Sequence, residues 1–138
     1  MISKQSRRGF LSFAAKAAAV TGITTLFGKT SFAMAPDKVF IHHVYFWLKN
    51  PDSQEDKEKL IEALKKLSKV KTIKEFHIGL PSSTNRDVID RSYSVSWMLF
   101  FKNKADQDSY QVDPIHLKFV EENSSLWSKV VVYDSEDI

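Results

Sequence analysis

Residues 39–49 read VFIHHVYFWLK, a run dominated by β-branched and aromatic side chains. This composition is typical of a β-strand, whose successive side chains point to opposite faces of a sheet. Alternation divides the run into two sets: His42, Val44, Phe46 and Leu48 on one face, and Ile41, His43, Tyr45 and Trp47 on the other. Both faces are largely apolar or aromatic, so both need to be covered.

The chain that follows alternates between helical and strand patterns. Leu60, Leu64 and Leu67 recur among Glu and Lys at helical spacing, which predicts an amphipathic helix over 53–69. Strands are predicted over 72–80, 92–101 and 127–134, and helices over 103–112 and 114–124. The order β-α-β-β-α-β predicts an α+β, ferredoxin-like protomer with a four-stranded antiparallel sheet and its helices on one face.

The third predicted strand, SYSVSWMLFF over 92–101, follows a polar loop at 81–91. Its alternation assigns five residues to a single face: Tyr93, Val95, Trp97, Leu99 and Phe101.

The second face of the first strand predicts a homodimer. A sheet with one solvated side alternates apolar and polar residues more cleanly than this one. A second copy of the chain would cover His43, Tyr45 and Trp47, which we assign to the dimer interface. The alternative is that these aromatic residues are simply tolerated at the surface.

The N-terminal 33 residues predict an export signal. Arg7 and Arg8 form a twin-arginine pair ahead of an alanine-rich run, and Ser31-Phe32-Ala33 matches a signal-peptidase site. We therefore expect residues 1–33 to be a cleaved signal peptide, residues 34–138 to be the functional domain, and the location to be periplasmic or otherwise extracytoplasmic. The run is short and is interrupted by Lys16, so it predicts no stable membrane insertion; retention as an anchor is the alternative.

The charge and the cysteine content exclude some kinds of partner and site. Five of the 20 Lys and Arg residues lie in 1–33, and removing them changes the net charge from +3 to −2. A nucleic-acid partner is therefore not expected, because such a domain needs a retained basic face. The chain has no cysteine, which excludes disulfides and thiolate metal sites.

The adjacent histidines do not predict a metal site. His42 and His43 point to opposite faces of their strand, so they are poorly placed to bind one ion. His77 is predicted to share a face with His43, and a metal or haem there is an alternative. We predict no metal and no cofactor, because metal sites usually gather three or more ligands.

Residues 108–119 form the main candidate for chemistry. Pro114 predicts a kink between two helices that could aim Tyr110 and His116 into one space. A histidine near neutral pKa can act as general base, and a phenol can orient it or stabilise developing negative charge. The alternative is that both are core residues with satisfied hydrogen bonds.

Over about residues 39–134 the chain resembles the stress-responsive α/β-barrel (Dabb) family. The similarity rests on the opening strand from His42 to Lys49, on Tyr110 ahead of the Pro114-x-His116 step, and on the closing segment WSKVVVYD at 127–134. The resemblance implies a dimeric α+β barrel. The chain departs from the family pattern at Asp113, where members often carry histidine.

One plant member of this family is a polyketide cyclase, and its site residues match positions in this chain. The resemblance implies that His116 is the base, that Tyr110 assists it, and that His42 lines the pocket. We expect the ligand pocket to be lined also by Trp127, Trp97, Phe46 and Phe119.

These observations predict an exported homodimer with a small-molecule pocket between sheet and helices. If it is an enzyme, cofactor-independent lyase, cyclase or isomerase chemistry by general acid and base fits the residues best. The alternatives are a non-catalytic, stress-related binding or structural protein, and a barrel that binds haem or flavin.

Overall fold

The computed structural model describes residues 38–138, which fold as a four-stranded antiparallel sheet with helices on one face. The elements are β1 (Phe40–Leu48), α1 (Gln54–Leu67), β2 (Glu75–Gly79), β3 (Val95–Phe101), α2 (Lys104–Gln111), α3 (Pro114–Asn123), a 3₁₀ turn (Ser124–Leu126) and β4 (Trp127–Glu136). The strand order is β2-β3-β1-β4. The predicted ferredoxin-like α+β fold is confirmed.

Strand β1 is central and hydrogen-bonded on both sides. It pairs with β3 in a register that sets Val44 opposite Trp97, and with β4 in a register that sets His42 opposite Asp134. Its burial alternates residue by residue, and the buried set contains His42, Val44, Phe46 and Leu48, as the sequence predicts.

Helix α1 covers the buried face of the sheet with one leucine stripe. Leu60, Leu64 and Leu67 are completely or almost completely buried. The helix begins after Ser53, whose side chain accepts a hydrogen bond from the backbone N–H of Asp56, as expected for an N-cap. These leucines belong to the buried core of the domain.

The second helical crossover is two helices, because the chain turns at Pro114. Helix α2 ends at Gln111, and α3 begins at Pro114 with Asp113 as its N-cap. The Asp113 side chain accepts from the backbone N–H of Ile115 at 2.8 Å. Proline is favoured in the first helical turn and disfavours helical angles in the residue before it, so it ends one helix and begins the next.

The prediction for Tyr93 is wrong. Strand β3 begins only at Val95, so Tyr93 lies in the preceding loop, outside the alternation of the strand. Its ring instead contacts Tyr45, a residue of the other sheet face, with centroids 4.9 Å apart. The strand therefore starts three residues later than predicted, and Tyr93 does not share a strand face with Val95, Trp97, Leu99 and Phe101.

The predicted signal peptide at residues 1–33 lies outside the described residues. Within residues 38–138, none of the helices has the length and apolar character that a membrane crossing requires.

Candidate functional site

A small cavity of about 140 Å³ lies between the sheet and helices α2 and α3. Its walls come from β1, β3, β4 and both helices: His42, Val44, Phe46, Trp97, Tyr110, Gln111, His116, Phe119, Val120, Trp127, Val130 and Val132. All seven residues assigned from the sequence to catalysis or to the ligand pocket are in this set. The volume is close to that of an engineered apolar cavity that binds benzene, so it suits a small organic molecule.

The apolar wall of the cavity is an aromatic cluster. Phe119 stacks on Trp127 with ring centroids 5.8 Å apart, and Phe46 lies 5.0 Å from Trp127. Offset and edge contacts of this kind hold aromatic rings in fixed orientations. These three side chains therefore give the cavity a rigid side.

The turn at Pro114 brings Tyr110 and His116 together. Tyr110 lies in the last turn of α2 and His116 in the first turn of α3, and their ring centroids are 4.5 Å apart. His42 approaches the same phenol from β1, with centroids 5.8 Å apart. The two histidines thus flank one buried tyrosine.

His116 has one ring nitrogen held by the backbone. Its Nδ1 lies 3.1 Å from the carbonyl oxygen of Gln111. A carbonyl can only accept, so Nδ1 carries the hydrogen, and in the neutral ring Nε2 is left as the acceptor. Burial lowers the pKa of His116, opposed in part by the Gln111 carbonyl and assisted by the nearby His42. The ring is therefore neutral at neutral pH, as a general base must be.

Tyr110 is a neutral hydrogen-bonding group. It is almost completely buried, and its hydroxyl oxygen accepts a hydrogen bond from Trp97 Nε1 at 3.3 Å. Burial raises the pKa of Tyr110 far above its usual value, and the Trp97 bond offsets only part of that effect. The phenol stays protonated, and its own hydrogen can be donated to an oxygen or nitrogen in the cavity.

His42 has a carboxylate partner, Asp134, that the local sequence pattern does not predict. Its Nδ1 donates to Oδ1 of Asp134 over 2.6 Å, and the side chain of Asp134 is 44% exposed. This contact fixes the hydrogen on Nδ1 of the neutral ring and leaves Nε2 as the acceptor. The pairing could be found only from the register of β1 with β4, which sets His42 opposite Asp134, 92 residues away in the sequence.

The other face of the sheet carries the residues assigned to the dimer interface. Tyr45 and Trp47, with Asp90, Tyr93 and Tyr133, line a second cavity of about 290 Å³. In this cavity Tyr45 contacts Tyr93 and Tyr133, at centroid distances of 4.9 and 6.0 Å. The open face therefore presents an aromatic cluster.

His43 lies beside this cluster. Its Nδ1 is 3.1 Å from the Tyr45 hydroxyl, and its Nε2 is buried and has no hydrogen-bond partner within the described part of the chain. Burial lowers the pKa of His43, and His77 and His42 lower it further by charge repulsion. In residues 38–138 no group of three or more His, Cys, Asp or Glu side chains is placed to hold a metal ion.

The fold and the cavity define a ferredoxin-like α+β domain with two histidines and a tyrosine around a small cavity. The family model for the stress responsive A/B barrel domain (Dabb) matches residues 40–137. The chain belongs to this family.

Solved structures with this fold share little sequence with the chain. A Dabb family protein from Mesorhizobium loti is 22% identical, with a TM-score of 0.62 and coverage of 73% of this chain and 98% of that one. The hydroxynitrile lyase of Passiflora edulis is 23% identical, with a TM-score of 0.61 and coverage of 75% and 96%. No curated protein compared with the chain matches it.

A third structure is described as a dimeric protein of unknown function, from Bacteroides fragilis. It is 19% identical, with a TM-score of 0.55 and coverage of 72% of this chain and 96% of that one. Further dimeric proteins with this fold come from Thermobifida fusca and a Jannaschia species. Several structural neighbours of the chain are therefore dimers.

Proposed function

We propose that the protein is an exported homodimer that binds a small organic carbonyl compound and acts on it by general acid and base catalysis. The main support is the convergence of His42, Tyr110 and His116 on one cavity. Nδ1 of each imidazole is held by an oxygen acceptor, so the neutral form of each ring has Nε2 as its basic nitrogen.

In this proposal His116 is the base. Its Nε2 takes a proton from the carbon next to the carbonyl, and the electron pair of the broken C–H bond moves to form an enolate. The neutral Tyr110 hydroxyl donates a hydrogen bond to the enolate oxygen, and His42 orients the ligand beside it.

The fate of the enolate decides the class of reaction. Return of the proton from His116 to another carbon of the ligand gives an isomerase. Departure of a leaving group from the neighbouring carbon, with the electrons of its bond and the proton from His116, gives a lyase. Attack of the enolate carbon on a second carbonyl, whose oxygen takes the proton from His116, gives a cyclase. The hydroxynitrile lyase among the neighbours makes a cyanohydrin a second assay compound, from which His116 would take the hydroxyl proton while cyanide leaves with the electrons of the C–C bond and a carbonyl forms. At this identity the likeness supports the shared fold alone.

The homodimer is supported by two observations. Several neighbours with this fold are described as dimeric. The open sheet face of the protomer carries His43, Tyr45 and Trp47, together with a buried and unpaired nitrogen of His43. A second copy covering this face would remove the aromatic cluster from water.

Proton exchange tests the catalytic proposal without knowledge of the natural substrate. A simple ketone is incubated with the protein in D₂O, and loss of the α-proton signal is followed by NMR. We expect protein-dependent exchange that His116→Gln reduces at least about a hundredfold, in line with the contribution of a positioned general base. His77→Gln, a histidine outside the cavity, is the matched control and should leave the rate unchanged.

Exchange that His116→Gln leaves unchanged would refute the role of His116. Ketone binding with no exchange in the wild-type protein would favour the non-catalytic alternative. Thermal unfolding of each variant separates loss of chemistry from loss of fold.

Export is supported by the twin arginines and the small-residue cleavage pattern. Changing Arg7 and Arg8 together to Lys should keep the protein in the cytoplasm, as cell fractionation would show. Lys29→Arg is a control of the same charge near the predicted cleavage site. The exported wild-type protein should have the mass of a chain beginning at Met34, and export of the double variant would contradict the proposal.

A further inference from the structure

The aromatic cluster on the open sheet face surrounds a cavity of its own. Within residues 38–138 the lining of this cavity of about 290 Å³ consists of four aromatic side chains and one carboxylate: Tyr45, Trp47, Tyr93, Tyr133 and Asp90. The rings of Tyr93 and Tyr133 meet the ring of Tyr45 at interplanar angles of 74° and 80°, so they form walls rather than a flat stack. The volume lies at the lower end of the range for ligand pockets, about 300–1,000 Å³, and suits a small ligand.

Ser92 links the carboxylate of the cavity to its indole. Trp47 Nε1 donates a hydrogen bond to Ser92 Oγ at 3.0 Å, and the backbone N–H of Ser92 donates to Oδ1 of Asp90 at 2.7 Å. Hydrogen bonds from the side chain and the backbone of Ser92 lower the pKa of Asp90, and the charge of Lys129 lowers it further. The carboxylate is therefore charged at neutral pH.

The indole of Trp47 already attracts a cation. Lys129 lies opposite Trp47 in the β1–β4 register, and its Nζ is 4.4 Å from the centroid of the indole ring. The faces of aromatic rings attract cations in this way, most strongly at tryptophan. Lys129 is not among the residues that line the cavity, so it is an independent sign that this cluster interacts favourably with positive charge.

We propose that the second cavity binds a small organic cation with a quaternary or methylated ammonium group. The cation lies against the four aromatic rings, and Asp90 balances its charge. Such rings attract a cation through their negative faces, which together with Asp90 would repel an anion. The cavity is on the opposite side of the sheet from His116, so this inference goes beyond the proposed catalytic function and does not depend on it.

The proposed second copy of the chain would cover the same face of the sheet. Attraction between a cation and aromatic rings is stronger when the cation is shielded from water. The carboxylate of Asp90 also offsets the cost of burying a positive charge. We therefore expect a bound cation to leave the dimer intact.

Choline and its neutral isostere 3,3-dimethylbutan-1-ol test the site, because they have the same shape and differ in charge. Dissociation constants are measured with the whole protein by ¹H NMR, in which aromatic rings shift the methyl signals of a bound ligand upfield. Choline should bind at least about fivefold more tightly than the alcohol. Equal affinities would overturn the inference.

Asp90→Asn tests the role of the carboxylate. Asparagine keeps an oxygen that can accept from Ser92 but has no charge, so choline should bind about two- to fivefold more weakly and the alcohol equally well. Asp87→Asn is the matched control, since Asp87 is an exposed aspartate of the same loop that does not line the cavity. It should have less than half that effect.

Tyr133→Leu removes one aromatic wall at a position that is 65% exposed. The affinity for choline should fall about two- to fivefold, whereas Tyr133→Phe keeps the ring and should keep the affinity. Unchanged choline binding in Tyr133→Leu, or equal losses in Asp90→Asn and Asp87→Asn, would refute the site.

Sedimentation with and without choline separates this inference from the proposed dimer. If choline dissociates the dimer, the aromatic cluster is an interface surface rather than a cation site, and the inference is wrong. Choline binding by a protein that sediments as a monomer would support the cation site and refute the dimer.

Discussion

Asp134 and His42 join the last strand to the first through a hydrogen bond of 2.6 Å between Oδ1 and Nδ1. The two residues are opposite one another in the β1–β4 register, so their side chains meet on the same face of the sheet. A partly exposed carboxylate therefore sets the orientation of a buried imidazole in the cavity.

Asp134→Ala should destabilise the protein by about 1–2 kcal/mol, because it leaves the buried Nδ1–H of His42 without an acceptor. Asp134→Asn retains an acceptor oxygen and should lose less than half as much. Urea unfolding provides the measurement.

The matched control for this series is Asp108→Ala. Asp108 pairs with Lys104 at the surface, and loss of such a pair should cost less than about 0.5 kcal/mol. If Asp108→Ala and Asp134→Ala lower the free energy of unfolding equally, the contact of Asp134 with His42 stabilises the protein no more than a surface ion pair does.

Tyr110→Phe removes the acceptor of the Trp97 Nε1 hydrogen bond in the fully buried core. We expect a loss of about 1–3 kcal/mol in the free energy of unfolding, since the indole N–H is left unpaired. Ketone exchange should slow as well, because the enolate loses its donor. Tyr133→Phe, at a tyrosine that is 65% exposed, should change the stability by less than about 0.5 kcal/mol.

If Tyr110→Phe folds and keeps the full rate of α-proton exchange, Tyr110 does not donate a hydrogen bond to the enolate. That result would make Tyr110 a packing residue.

The fold could be predicted from local patterns because strand alternation and the leucine stripe of α1 directly report which side chains are buried. The position of Tyr93 could not, because alternation holds only inside the strand and the ladder begins at Val95. Asp134 was missed for a different reason. Its role depends on the register between two strands at opposite ends of the domain, and that register is set by tertiary packing.

The rate of α-proton exchange in the ketone should depend on pH through the protonation of His116. The base must be neutral, and burial lowers its pKa below the usual value of about 6.5. The rate should therefore be constant near neutral pH and fall only as the pH drops below about 6.5. The raised pKa of Tyr110 keeps the phenol protonated, so no alkaline loss is expected up to about pH 10.

Steady-state rates measured from pH 4 to 10 test this profile. The residual exchange in His116→Gln should lack the acidic fall, whereas Tyr110→Phe should keep it. A fall centred above pH 7 in the wild-type protein would contradict the assigned base.

The proposed dimer should weaken in acid because of His43. Burial already lowers its pKa in the single protomer, and further burial by a second copy would lower it more. The dissociated form would therefore bind more protons, and the dimer would lose stability as the pH falls below about 6.5. Protonation would place a cation beside His77 on the face that the second copy covers. Sedimentation at pH 7.5 and pH 5 should show a higher dissociation constant at the lower pH.

His43→Gln tests the origin of this pH dependence, because it keeps a polar side chain that does not titrate. The variant should show a smaller change in dissociation constant between the two pH values. His116→Gln, in the cavity on the other side of the sheet, is the control and should retain most of the wild-type change. An identical pH dependence in His43→Gln and the wild type would rule out His43 as its source.

His42 and His43 are consecutive residues of one strand, so only the backbone of β1 separates the cavity on one face of the sheet from the aromatic cluster on the other. His42 lowers the pKa of His116 on its own side and that of His43 on the far side. A positively charged ligand group bound beside His42 would act on His43 in the same way and make it harder to protonate, which would favour the proposed dimer in acid. By linkage, pairing would return the same effect to the ligand, without any movement of the backbone.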